Sequence, residues 1–196
     1  MKFHDSSLAH AYLDPLVGIE IGGSAHNPYN LPNCINVDYT DDMNTVFKQA
    51  EFEFCGEKLK VDVVADACTL PFKDNTYDYV ISSHVIEHIF DPIAAITEWL
   101  RVIKSGGYIF TTVPIKEFVP GENRPITELQ ELIDRHNNIL TKDTINMLTE
   151  LSDVDSDTLT KDTIRGILAD HETGHFTVFN VNLFKEILEY IGGSAI

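Results

Sequence analysis

Val17-Gly18-Ile19-Glu20-Ile21-Gly22-Gly23-Ser24 is a short apolar run that closes on a glycine pair. Its length and its ending predict a buried strand running into a tight turn. The same unit recurs down the chain. Asn33 to Val37 is a second apolar run, ended by Asp38, and Val61 to Ala65 is a third. Tyr77-Asp78-Tyr79-Val80-Ile81-Ser82 is a fourth, and Tyr108 to Val113 is a fifth, stopped by Pro114. Helices are expected within residues 1–16 and over 42–51. Asp91-Pro92 opens another, whose Ile93, Ile96, Leu100 and Ile103 are spaced for one buried face, and Ser105-Gly106-Gly107 ends it. Short apolar strands alternating with helices predict an α/β fold with a mostly parallel sheet covered on both faces. Ligands of such sheets sit at the carboxyl ends of the strands, near the point where the strand order reverses.

From about residue 115 the pattern changes. Residues 126–169 are polar, acidic and helical in spacing, which predicts a helical insertion over 115–175 after the fifth strand. Leu140-Thr141-Lys142-Asp143-Thr144-Ile145 is echoed by Leu159-Thr160-Lys161-Asp162-Thr163-Ile164, and each threonine before Lys-Asp suits a helix cap. Residues 176–191 form an amphipathic helix, with Val181, Phe184, Ile187, Leu188 and Ile191 expected on one face. The 196 residues suit one domain, residues 1–196.

The net charge of −17, without a Lys/Arg cluster, disfavours nucleic acid and anionic membranes as partners. No apolar run is long enough for a membrane span, and the N-terminus lacks the pattern of a secretory signal. Cys34, Cys55 and Cys68 are odd in number and show no CxxC spacing. Cys34 and Cys68 are expected to be buried thiols, and a reducing cytoplasm fits the set.

The strand ends carry the chemistry. The first offers Glu20, Gly22, Gly23 and Ser24, the second Asp38, the third Asp66 and Ala67, and the fourth Ser82, Ser83 and His84. Glycine lets a ligand approach the backbone closely. The acids suit ribose hydroxyls and an exocyclic amine, and no basic residue near the first turn would hold a pyrophosphate. The run from Val63 to Val80, then Ile86-Glu87-His88-Ile89, Asp91-Pro92 and Leu100 to Tyr108, resembles the class I S-adenosylmethionine-dependent methyltransferases of the type 11 group. The resemblance covers roughly residues 17–114. It implies a Rossmann-like, doubly wound sheet and S-adenosylmethionine as cofactor. Glu20, Gly22, Gly23 and Ser24 would form the cofactor loop, and Asp38 would bind the ribose. Asp66 and Ala67 would flank the adenine, and Ser82 and Ser83 would lie beside the methionine part and the methyl group. The family's second and third glycines are replaced here by Ser24 and His26. Such domains end in two further strands, which are expected to be missing before Ile196, and an uncovered edge would favour a homodimer.

His84-Val85-Ile86-Glu87-His88 matches the HxxEH spacing of inverted zinc peptidases, although it directly follows a strand inside the methyltransferase pattern. Some small-molecule O-methyltransferases of this group resemble it here, with an acid in place of His84, and use a divalent cation. The corresponding trio is His84, Glu87 and His88; the plainer reading makes Glu87 and His88 packing or capping residues of a helix start. His171 and His175 form a second pair, expected as surface loop histidines, while His136, Arg124 and Arg135 sit in the insertion on the acceptor side. The expected activity is O-methylation of a small molecule or glycan, with His84, Glu87 and His88 as candidate catalytic residues. The alternatives are a catalytically degenerate cofactor-binding or interaction module, and a nicotinamide-dependent dehydrogenase, which the absence of GxGxxG disfavours.

Overall fold

The computed structural model describes residues 6–23, 29–152, 163 and 175–192. Ser24, His26 and His171 lie outside the described residues, as does the echoed segment 159–164 apart from Thr163. The chain divides into two compact units, residues 1–86 with 94–113 and residues 87–93 with 114–196.

The first unit holds strands β1 (Gly18–Ile21), β2 (Cys34–Asp38), β3 (Val63–Val64), β4 (Tyr77–Ser83) and β5 (Ile103–Thr112). Helices α1 (Ser6–Leu13) and α2 (Val46–Cys55) precede β1 and β3, and α3 (Pro92–Val102) leads into β5. The five strands lie in the order β3-β2-β1-β4-β5, and every pairing is parallel. This is a Rossmann-like order, and it places the reversal between β1 and β4. All four residues of β1 are buried, as a central strand covered on both faces requires. Gly18 admits no side chain, because a Cβ there would lie 2.4 Å from the Tyr79 ring. Ala9 and Leu13 of α1 pack with Tyr29, Leu31, Tyr79 and Ile81 in one apolar cluster.

Three elements differ from the sequence pattern, each for a local reason. The third strand keeps only Val63 and Val64, because it is an edge strand paired to β2 at two positions, and Val64 is half exposed. The fifth strand starts at Ile103, so Ser105-Gly106-Gly107 lies within it, where the register against β4 is irregular. Gly106 supplies the positive φ of 81° in that stretch. In α3, Leu100 is exposed, and Ile96, Trp99 and Val102 are buried. Proline at the first helical position needs no hydrogen-bond donor, which explains why α3 begins at Pro92. Cys34 and Cys68 are half-buried rather than buried.

The second unit contains α4 (Leu129–His136), α5 (Lys142–Ser152) and α6 (Val181–Tyr190). Thr141 caps α5, its Oγ1 accepting from the Thr144 amide at 3.2 Å. Asn180 caps α6 in the same way, from the Leu183 amide at 2.7 Å. That start sets the buried face of α6 on Leu183 and Ile187, and leaves Val181 exposed. Residues 176–179 run through the interior of the unit, all four buried. They are cross-linked on both sides: the Val178 amide donates to the Thr127 hydroxyl at 3.0 Å, the Thr127 amide donates to the Val178 carbonyl at 3.1 Å, and Ile115 bridges Phe179 in parallel. No helix among the described residues is long and apolar enough to cross a membrane.

Candidate functional site

The carboxyl ends of β1 and β4 are neighbours, with Ile21 opposite Ser82 in the register. The turn after β1 is held by the Gly22 amide, which donates to the Val37 carbonyl at 2.8 Å. Gly22 has φ 65°, and a Cβ there would lie 2.6 Å from Cγ2 of Val85 in the turn after β4. Both the backbone and the space therefore call for glycine at this point. A Cβ on Gly23 would lie 2.7 Å from the Asn36 side-chain oxygen and 3.0 Å from the Glu20 carboxyl carbon. The two glycines and the two turns form one close-packed rim at the reversal point.

The acids differ in setting. Glu20 is buried, and burial raises its carboxyl to about 8, the Glu51 charge adding to this and Lys48 opposing it. Lys48 and Glu51 form a buried ion pair at 2.8 Å. Asp38 is also buried, and its Oδ1 accepts from the Tyr39 amide at 2.7 Å. Asp66 is exposed; its Oδ1 accepts from the Cys68 amide at 2.7 Å, which closes a tight turn. The Ala67 carbonyl accepts from Trp99 Nε1 at 3.1 Å, so the core tryptophan fixes this turn.

Ser82 is buried, and its hydroxyl lies 2.8 Å from that of Thr111 on β5. Tyr29 and Thr112 pair at 3.2 Å beside it. Tyr29, Thr111 and Thr112 join the expected Ser82 in this row of hydroxyls. Its signal was available: Thr111-Thr112 closes the fifth apolar run as Ser82-Ser83 closes the fourth. His84 follows directly, with φ 54°, and its amide donates to the Thr112 carbonyl at 3.0 Å. A non-glycine residue in that region is uncommon and carries strain, a feature that clusters at functional sites.

The HxxEH spacing does not become a helix, because His84 is left-handed and only Ile86–His88 makes a short 3-10 turn. In the second unit Glu87 and His88 meet His175 instead. One ligand atom from each of the three lies within 4.8 Å of the others, and His84 is not among them. The His88 and His175 rings meet edge to face with centroids 4.8 Å apart. Glu87 is fully buried, and burial raises its carboxyl to about 8. His175 is held below its ordinary value by burial first and by the Arg124 charge second. Arg124 donates to the His175 carbonyl, and buried Arg135 to the Phe176 carbonyl at 3.1 Å. His136 pairs with Asp91 at 3.0 Å.

Residues 19–111 match the family described as a methyltransferase domain. They carry a class I, S-adenosylmethionine-dependent methyltransferase domain. An uncharacterized methyltransferase of Schizosaccharomyces pombe is 52% identical over 40 residues, 20% of this chain and 14% of that protein. Demethylmenaquinone methyltransferase of Staphylococcus saprophyticus is 36% identical over 75 residues, 38% of this chain and 31% of that protein. The chain spans about a third or less of the length of the curated relatives it matches. A structure from Bacillus halodurans, assigned as a methyltransferase, superposes over 96% of this chain and 67% of its own with a TM-score of 0.55 at 15% identity. That likeness shows the fold. The methyltransferase domain takes S-adenosylmethionine as its cofactor. Its strand-end set, Glu20, Gly22, Gly23, Asp38, Asp66, Ala67, Ser82 and Ser83, fits a group of that kind. It offers acids and hydroxyls beside a turn whose two glycines pack directly against Val85, Asn36 and Glu20.

Proposed function

We propose that this chain transfers a methyl group from S-adenosylmethionine to an oxygen of a small molecule or glycan. The observation that carries the reading is His84, a strained imidazole-bearing residue at the carboxyl end of β4, beside the reversal point of the sheet. S-adenosylmethionine supplies a methyl group on a positively charged sulfur. In this reading Asp38 accepts the ribose hydroxyls, Asp66 and Ala67 flank the adenine, and Ser82 and Ser83 stand beside the methionine part. Glu20 and the Gly22-Gly23 turn hold the rest of the cofactor. His84 takes the proton of the acceptor hydroxyl while the new O–CH3 bond forms and the S–C bond breaks. A histidine suits that task near neutral pH. The net charge of −17 speaks for a non-nucleic-acid acceptor, and an odd set of three cysteines without CxxC spacing suits a reducing cytoplasm.

Calorimetric titration with S-adenosylhomocysteine tests the cofactor half. Asp38→Ala is expected to weaken binding by roughly 10-fold or more, the scale of a lost charge-assisted bond. No binding to the unaltered chain at millimolar ligand would sink the enzyme reading. The transfer half is tested on a panel of sugars, phenols and hydroxy acids. His84→Asn is expected to lower kcat by about 100-fold or more with affinity for the cofactor kept. Binding without turnover on any acceptor would mark a cofactor-binding module instead.

A further inference from the structure

We propose that Glu87, His88 and His175 form a binding site for a zinc-class divalent cation, with the insertion supplying a ligand in place of His84. The proposal stands on the second unit alone and does not depend on methyl transfer. Among the described residues these three are the one cluster of three or more metal-ligating side chains, their ligand atoms within 4.8 Å of one another. Two imidazoles and one carboxylate are the donor set of a zinc centre that keeps a position open for water or an oxygen ligand. Imidazole donors select zinc and its neighbours over magnesium and calcium, which prefer all-oxygen shells. Bound donors stand roughly 3.3 Å apart around a tetrahedral zinc, from bond lengths of about 2.0–2.1 Å. Glu87 and His88 are already 3.9 Å apart. Closing the remainder takes small side-chain rotations of His88 and His175, which are only half-buried.

The backbone that presents His175 is fixed independently of any ion. The Phe176 and Thr177 amides both donate to the Glu87 carbonyl, at 2.8 and 3.2 Å. Those bonds lash the segment after His175 to the residue that supplies the carboxylate. The carbonyls of His175 and Phe176 are taken by Arg124 and Arg135, and these arginines are paired with Glu122 and Glu131. Phe90 packs edge-on against Phe176 and lies under the Arg135 guanidinium. Side chains set on a backbone held this way are the preorganised arrangement that metal sites need. Two histidines packed edge to face and a buried acid with a purely structural role are the competing account, and the two differ in what an added ion does.

The test uses the full chain, free of any affinity tag and stripped with a chelator. Zn2+ is titrated by calorimetry, and Co2+ by visible absorption. The expected result is one ion per chain and the strong d–d bands of a four- or five-coordinate cobalt. His175→Ala and Glu87→Gln are each expected to weaken binding by at least the roughly 10- to 100-fold that a lost supporting partner costs. His136→Ala, which removes a histidine outside the cluster, should leave it unchanged. Thermal melts establish which variants fold, and His88→Ala, at a half-buried position, replaces any that do not. An unchanged affinity in folded His175→Ala overturns the proposal. So does a weak, six-coordinate cobalt spectrum in the unaltered chain, or binding of several ions with no preferred stoichiometry.

Discussion

The rim between β1 and β4 and the 175–180 segment both hold candidate site residues on fixed backbone, by opposite means. The rim is local. Gly22, Val37 and Val85 meet because adjacent parallel strands end together, and each strand announces its own end in the sequence. The 175–180 segment is held by residues remote in the chain: Glu87, Thr127, Ile115 and two arginines. A site of the first kind should fail through single turns, and one of the second kind through the loss of a shared anchor.

The sharpest break is Arg135→Ala. The guanidinium is almost fully buried, bonds the Phe176 carbonyl and Glu131, and covers the Phe90 ring. Removing it leaves a carbonyl and a carboxylate without their donor, and such losses cost about 3–5 kcal/mol. Thermal melts should show a large fall in Tm, and hydrogen exchange should localise it to residues 175–180. If the fall is small, the segment is not anchored through Arg135, and the contrast with the rim disappears.

The rim has its own large effect, set by pH. The Glu20 carboxyl is raised to about 8 in the fold, against 4.5 ordinarily. Between those values the folded chain keeps a proton that the unfolded chain has released, so folding stability falls as pH rises through the window. Glu87 is raised to a similar value and adds to the fall. Glu20→Gln should remove the Glu20 share, a few kcal/mol by this reckoning, and be more stable than the parent at pH 8. Denaturant melts at pH 5 and pH 8 decide it; equal slopes in both proteins would mean that Glu20 is charged in the fold.

Gly22→Ala comes next. The left-handed backbone costs a side chain about 1–2 kcal/mol, and the Val85 contact adds to it. Affinity for S-adenosylhomocysteine should fall by more than 10-fold, while Zn2+ binding at Glu87, His88 and His175 stays as it was. A parallel loss of both would show that the two regions do not act separately.

These differences explain what the sequence disclosed. The five strands, their parallel sheet and the strand-end acids follow from short apolar runs closed by Gly, Asp, Ser or Pro, signals contained within a few residues. The shortening of β3 was hidden because its five-residue apolar run says nothing about having one neighbour instead of two. Leu100 and Trp99 exchanged places because helical spacing names a stripe but not which edge of it meets the core. His175 read as a surface loop residue because its setting depends on Glu87 and Arg135, which no local pattern ties to it. The HxxEH spacing at 84–88 brings His84 onto one face with His88 only along a continuous helix. The positive φ of His84 breaks that helix, and only the folded chain shows it.

Asn180→Ala should have the smallest effect, and it examines the join between the 175–180 segment and α6. The Asn180 side chain accepts from the Leu183 amide at 2.7 Å and closes the first turn of α6, directly after buried Phe179. Loss of such a cap costs about 1 kcal/mol. If the segment is anchored only by its cross-links to Glu87, Thr127 and Arg135, faster exchange should stop at the first turn of α6, and Zn2+ affinity should not move. If the cap also sets where the segment ends, exchange at Phe179 should quicken too, and the affinity should fall a few-fold with it. The second outcome would make the helix start part of the metal site's support. The first would leave the long-range bonds as its whole foundation, which is the stronger form of the contrast with the rim.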